Sequence, residues 1–367
     1  MVRCADVLDI RDGTHDSPKY VLEGYPLITS KNIKNGNIEF DNINYITKDD
    51  FNKINIRSKV DNGDILMPMI GTIGNPVIVN TERPFAIKNV ALFKFQDCGD
   101  FCNKYVYYAL KSPMIVNQLN RNKRGGTQSF VSLGDIRDLK ILNIDIEIQQ
   151  KIVTILDKAQ SLIDKRKEQI EACDELVKSL FYEMFGDPIT NANNLPTKPL
   201  GEICNMKAGK GIKAKDIYQV CEEQMYPCYG GNGLRGYVES YTHEGAIPLI
   251  GRQGALCGNV KYATGKFYAT EHAVVTQPII PMNTMWLYIM LMEMNLNRLA
   301  TGAAQPGLNV STLVPLEVIV PDLILQNKFA AQVEKIEHQK QRLEQSLKEL
   351  ENNFNSLMQR AFKGELF

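Results

Sequence analysis

Basic and amide side chains crowd a few glycine-flanked segments of this chain, and these are the residue types that could do chemistry. Arg121, Lys123 and Arg124 stand directly before Gly125 and Gly126, with Thr127, Gln128 and Ser129 able to donate to phosphate oxygens. Arg298, Gln305 and Asn309 follow in the second half, and upstream of them Asn232, Arg235, Arg252 and Gln253 occupy glycine-flanked loops. Arginine pairs bidentately with guanine, and Asn or Gln with adenine, so such loops could read base edges. Each residue taken alone reads more readily as a solvated loop side chain than as a base reader. The segment KAGKGIKAK, residues 207–215, resembles a phosphate loop only by composition, because it lacks the Gly-Lys-Ser/Thr signature and its preceding glycine. Solvated lysines and backbone-phosphate contacts both remain open there, with Lys210 and Lys213 as candidates.

Motifs for catalysis are missing. Gly231, Gly233 and Gly236 have the spacing of a dinucleotide fingerprint, yet the β-branched and aromatic YVESYT follows where a helix is required, which predicts a glycine-rich loop. No Asp/Asn-Pro-Pro-Tyr/Phe segment is present to hold a flipped base, and no paired-acid-plus-lysine cluster to hold a metal for strand cleavage. The eight cysteines show no C-x-x-C and the four histidines lie far apart, which argues for reduced packing thiols over disulfides or zinc. His15 and His272 read by themselves as packing or hydrogen-bonding residues. We therefore expect no catalytic residue, no metal and no cofactor belonging to this chain.

At about 150 residues per domain, 367 residues predict about two domains. Lys+Arg and Asp+Glu are both 42, so a uniformly basic nucleic-acid coat and a lipid-binding polybasic tail are excluded, and any DNA contact must use local clusters. The longest strongly apolar stretch, residues 285–292, stops at Glu293, and the N-terminus has no apolar signal core. A soluble, cytoplasmic protein without a membrane partner is expected.

An internal repeat organises the chain. Sliding it by 177 positions places residues 119–185 on 296–362 without a gap and with 13 identities in 67 positions, where ordinary composition would give about 4. Upstream the match is looser and its offset drifts: IGTIG, residues 70–74, sets against IGRQG, residues 250–254, and YPLI from Tyr25 against YPCY from Tyr226. Two copies that keep one scaffold while their loops diverge produce this pattern. The last part of each repeat carries apolar residues spaced alternately by 4 and 3, from Ile152 to Met184 and from Phe329 to Ala361, with Arg166 and Lys340 as charged interruptions. These predict two coiled-coil helices, the first stopped by Gly186 and Pro188, each needing a partner for its stripe. Residues 1–145 and 199–320 hold short β-like runs such as PVIVN and VALFKF between turn signals at Asn35-Gly36, Asn62-Gly63 and Gly230-Gly231. Each block also includes one helix, near 101–122 and 283–299. The expected fold class is α+β: two tandem, mostly antiparallel domains (1–145 and 199–320), each followed by a long helix (146–186 and 321–367), with a linker at 187–198. An antiparallel coiled coil of the two helices would give pseudo-two-fold symmetry.

This arrangement resembles the specificity subunits of type I restriction-modification enzymes. The segment DGTHDSP from Asp12 with YPLITSKN from Tyr25 looks like one type of target-recognition domain in that family, and GNGLRGYV with LIGRQGALCGNV looks like another. The Gly-x-x-Gln segments, the helix starts at Gln149 and Gln326, and the terminal AFKGEL are similar to its repeated regions; the family's proline-rich helix entry is kept at Pro321 but is Ile144 in the first copy. On this resemblance Thr14, His15, Lys31 and Asn32 join the candidate DNA contacts. The resemblance implies a non-catalytic reader of double-stranded DNA, each domain taking half of a bipartite site. The helices would then act as a spacer and a dock for two methyltransferase subunits. Those partners would bring S-adenosylmethionine, and restriction/translocase subunits would bring ATP-driven cleavage. Another phage-defence complex, or a coiled-coil scaffold unrelated to DNA, are the alternatives.

Overall fold

The computed structural model describes residues 1–34, 36–71, 73–95, 101–125, 129–302 and 306–367. Thr127, Gln128, Gln305 and Asn35 lie outside the described residues. The chain divides into two compact units, Met1–Arg166 with Ser346–Phe367, and Lys167–Gln345. Among the described residues no helix is long and apolar enough to cross a membrane.

In the first unit the strand Val2–Arg3 pairs antiparallel with Lys140–Ile141, and the short helix Cys4–Val7 leads into a four-stranded sheet. Its order is Asp9–Asp12, Val90–Lys94, Ile65–Pro68, Val77–Ile78, all antiparallel. The strand Val90–Lys94 is central and buried at every position, so its sequence is a continuous apolar run with one lysine. That lysine is satisfied internally: Lys94 Nζ lies 2.6 Å from Asp64 and 2.5 Å from Asp61. A second sheet, in the order Ala86–Ile87, Tyr25–Ile28, Asn44–Ile46, Tyr20–Val21, contains one parallel pairing, Ala86–Ile87 on Tyr25–Ile28. The helix Lys48–Ser58 follows, capped by Thr47, whose hydroxyl accepts from the Asp50 N–H at 3.2 Å.

The second unit repeats the scheme. Thr197–Pro199 pairs with Glu317–Ile319, the helix Leu200–Ile203 follows, and the antiparallel sheet runs Cys204–Ala208, Ala273–Pro278, Ile247–Gly251, Val260–Ala263. Its second sheet, Gly233–Val238, Tyr226–Gly230, Lys266–Ala269, His243–Glu244, again holds one parallel pair, Tyr226–Gly230 on Lys266–Ala269. The register there equates Ile28 with Tyr229, so Tyr25-Pro26 and Tyr226-Pro227 are counterparts, as the sequence match suggests.

Two expectations need correction. The helix near 101–122 is broken into Asn103–Lys111 and Pro113–Asn122, because Pro113 cannot continue a helix but suits the first turn of a new one, which Ser112 caps. Likewise 283–299 is Thr284–Glu293 followed by a 3-10 turn, Leu296–Leu299, with Asn295 left-handed at the break. Second, residues 70–74 do not match 250–254. Val90 sits opposite Pro68, and Ala273 opposite Gly251, so Gly71 corresponds to Gly254 and the offset there is 183. Both glycines have φ near 80° (80° and 82°), a conformation the backbone requires at that point.

The long helices span Ile146–Phe185 and Leu323–Lys363, and Gly186 takes φ 75° just past the first. Every position of both 4-3 stripes is buried or half-buried. In the first unit Ile152, Leu156 and Ile163 share a core with Phe354, Met358 and Phe362; in the second, Val177, Phe181 and Phe185 share one with Phe329 and Val333. Within the second unit Phe185 packs on Phe329 at 5.4 Å between ring centroids and Lys340 pairs with Asp174, so there the two segments run antiparallel. Burial works against the Lys340 charge, but Asp174 outweighs it and holds the ammonium protonated above its ordinary range.

Each helix start is pinned by the same device. Gln149 accepts from the Cys102 N–H at 3.0 Å and donates to the Ile144 carbonyl at 2.9 Å, while Gln326 accepts from the Asn283 N–H at 2.9 Å and donates to the Pro321 carbonyl at 2.8 Å. The proline missing from the first copy is immaterial to the pin, which uses only a carbonyl at that position.

Candidate nucleic-acid interface

The alternating direction of the three strands brings the segments after Asp12, before Val90 and after Pro68 to one end of the first sheet. A ladder of backbone hydrogen bonds joins them. Gly13 N–H donates to Val90 O at 3.0 Å, Thr14 N–H to Ile87 O at 3.0 Å, Asn89 N–H to Thr14 O at 3.2 Å and Met69 N–H to Asn89 O at 3.3 Å. The loop containing the basic cluster is added by Gly71 N–H to Ser129 O, 3.1 Å, and Val131 N–H to Met69 O, 2.9 Å. That loop is closed by reciprocal bonds between Arg124 and Phe130 at 3.0 and 2.9 Å.

The second unit builds the same strip. Gly209 donates to Ala273 O at 3.0 Å, Lys210 to Ala269 O at 2.9 Å, Arg252 to His272 O at 3.1 Å, Gly254 to Pro306 O at 2.9 Å and Leu308 to Arg252 O at 2.9 Å. Thr301 and Gly307 exchange bonds at 2.9 and 2.8 Å, reproducing the 177-residue frame at 124 and 130. Glycine is needed where the strip begins, since a Cβ on Gly13 or Gly209 would lie 2.2 Å from the carbonyl oxygen of Ile87 or Ala269.

In the first unit the strip presents Thr14, His15, Lys88, Asn89 and Arg124. Asp12, 4% exposed, receives Arg57 on one carboxylate oxygen and His15 Nε2, at 2.8 Å, on the other. His15 Nδ1 meets Asn89 Oδ1 at 2.8 Å, and Asn89 holds a left-handed φ of 54°. The Asn89 contact, then Asp12, push the His15 pKa above its ordinary value. Arg124 is paired with Asp135 at 3.1 Å; that carboxylate is held below its usual range first by the Ser132 hydroxyl and then by Arg124. Arg121 and Lys123 are exposed at and just past the end of Pro113–Asn122.

The second strip presents Lys210, Arg252, Gln253, Glu271 and His272. Gly231 backs onto His272 O and Gly251, which brings the 230–233 turn with Asn232 and the neighbouring Arg235 to the same place. Asn232 accepts from Asn259 Nδ2 at 3.2 Å. Arg252 Nε and Glu271 Oε2 are buried without a hydrogen-bond partner among the described residues. Arg298 donates its Nε to Met294 O at 3.2 Å, and Asn309 is exposed before the short helix Val310–Leu313.

Other candidates stay apart from the strips. Asn32 is 8% exposed and its carboxamide oxygen accepts from the Thr29 N–H at 3.0 Å, so it is a turn cap, contrary to its expected DNA-facing role, while Lys31 beside it is exposed. Lys213 is exposed at the start of the 3-10 turn Ala214–Asp216. Gly231, Gly233 and Gly236 lie on a hairpin, with the strand Gly233–Val238 where a dinucleotide site needs a helix. Among the described residues no three His, Cys, Asp or Glu side chains are placed to hold a metal. Sequence reasoning missed Arg57, Lys88, Asn89 and Glu271. The Asn between two apolar runs in AIKNVAL was a usable turn signal for Asn89; nothing local marked the others.

The family model for the type I restriction modification DNA specificity domain matches residues 1–172 and 194–352. The chain belongs to that family. It is 42% identical over 197 residues to the type I restriction enzyme EcoprrI specificity subunit of Escherichia coli, covering 52% of this chain and 49% of that one. It is 28% identical over 148 residues to the putative specificity subunit S.HindORF215P of Haemophilus influenzae, covering 40% and 38%. The match thus spans about half or less of the length of these curated relatives. Its fold is like that of the type I restriction-modification S subunit from M. genitalium, with TM-score 0.58 at 18% identity over 98% of this chain and 95% of that one. A chain from a structure of type I R-M complex assembly has TM-score 0.58 at 17% identity over 100% and 97%.

Proposed function

We propose that this chain is the non-catalytic, sequence-specific DNA-recognition subunit of a type I restriction-modification complex. Each recognition domain, 1–145 and 199–320, would read one half of a bipartite site. The observation that carries this reading is the repeated backbone strip: one hydrogen-bonded frame, present twice, bearing Thr14, His15 and Arg124 in one copy and Lys210, Arg252 and Gln253 in the other. A conserved frame with exchanged side chains suits two readers of different sequences. Arg121, Lys123 and Arg298 would contact phosphates beside the strips and Lys213 apart from them, and Thr127, Gln128 and Gln305, outside the described residues, are kept as candidate contacts on the sequence alone. The helices 146–186 and 321–367, continued as an antiparallel pair with pseudo-two-fold symmetry, would set the spacer and dock two methyltransferase subunits, with restriction/translocase subunits outside them.

The reading is tested by sequencing the methylome of cells that express the chain with its methyltransferase, before and after residues 1–145 are replaced by the matching block of a relative. One half-site should change and the other stay. A change in both, or no bipartite methylation with the original chain, would overturn it.

A further inference from the structure

We propose that the cleft between the helix Lys48–Ser58 and residues 13–16 is a phosphodiester-binding site, in which Lys53, Arg57 and His15 are the cations and Asp12 positions two of them. The inference rests on the DNA-reading function above and gives the first domain a contact that the second lacks. The cleft measures about 330 Å³ and is lined by Thr14, His15, Asp16, Lys53 and Arg57 among others. Its floor is Asp12, buried and with both oxygens engaged, one by Arg57 and one by His15. The imidazole is held at both nitrogens, by Asp12 and by Asn89, and these contacts favour its protonated form.

Three cations therefore border the cleft against the two carboxylates Asp12 and Asp16. Asp12 is withdrawn from solvent, whereas the Arg57 and His15 side chains remain 63% and 60% exposed. The carboxylate fixes the direction of the guanidinium and the ring while leaving most of Arg57's N–H donors free for a ligand. The space is too small for a folded partner and suits a phosphate with its sugar. It also adjoins Thr14, whose backbone is part of the hydrogen-bonded strip. In the second unit Gly211 stands where His15 does, counted from the matching glycines Gly209 and Gly13, and no helix occurs between Tyr226–Gly230 and Ile247–Gly251. The contact belongs to one half-site only.

The test uses the whole chain, with duplexes recovered from a random-sequence pool and affinity read by fluorescence anisotropy over a salt series. Each of Arg57→Ala and Lys53→Ala should lower the magnitude of the slope of log K against log salt by about 0.9, the value for one lost phosphate contact. A methylphosphonate at the contacted phosphate should weaken the original chain and leave Arg57→Ala unaffected. Asp12→Asn separates positioning from plain charge: removing an anion would tighten DNA binding, but releasing Arg57 and His15 should weaken it. Should Asp12→Asn fail to fold, the two exposed variants still decide. Unchanged salt slopes in both would overturn the site, and tighter binding by Asp12→Asn would overturn its positioning role. If the original chain retains no preferred sequence from the pool, the DNA-reading function fails instead, which is a distinct result.

Discussion

At the turn after Ile87 the first unit carries Lys88 and Asn89, and at the corresponding turn after Ala269 the second carries Thr270, Glu271 and His272. One copy has a cation and an amide beside His15; the other has a carboxylate that meets His272 Nε2 at 3.2 Å with one oxygen and leaves the other without a hydrogen-bond partner among the described residues. Yet, the Asn89 N–H to Thr14 O bond apart, the N–H and C=O groups that place these residues pair in the same order in both units. Backbone polar groups at the end of a buried sheet must be satisfied whatever the side chains are, so they hold the frame while the side chains on it vary. Divergence is deeper behind the strip: the first unit inserts the helix Lys48–Ser58 and buries Lys94 with Asp64, while Gln277, exposed, stands at the position of Lys94 in the second.

The sharpest way to break the comparison is through that buried ion group. Lys94→Met leaves Asp64, 1% exposed, without its cation, and loss of one partner from a buried pair costs about 3–5 kcal/mol. Thermal unfolding followed by hydrogen exchange should show the first unit melting earlier with the second unchanged; a uniform loss would mean that the units do not unfold separately.

Gln149→Leu and Gln326→Leu probe what is shared. Each removes the side-chain partner of a half-buried N–H and of a carbonyl, a loss of about 1–3 kcal/mol, and the near-identical contacts predict near-equal effects in denaturant melts. A large inequality would show that only one pin bears on stability.

The smallest effect separates two histidines. Asn89 and then Asp12 raise the His15 pKa above 6.5, with Arg57 opposing, whereas burial and then Lys210 lower that of His243. Stability from His15 is therefore present at low pH and lost as pH rises through its raised pKa. His243 acts the other way, favouring the fold when neutral and costing stability as pH falls from 6.5 toward its lowered pKa. Imidazole NMR titrations should place the two on opposite sides of 6.5, and Asn89→Ala should bring His15 back toward it.

Much of this molecule was determined by its sequence alone. The 4-3 spacing of apolar residues in both long helices, the stop at Gly186 and the 177-residue frame depend on local periodicity and on a backbone that every residue shares, so they can be read without a structure. The glycine-flanked basic loop at Arg124 was legible for the same reason. Only the tertiary structure decided that Asn32 turns inward as a cap and that Arg57 reaches Asp12 across 45 residues. It also decided that the second strip aligns through Gly71 and Gly254. These outcomes depend on pairings between distant segments, where strand register and the satisfaction of a buried carboxylate select one arrangement from many that the same local sequence permits.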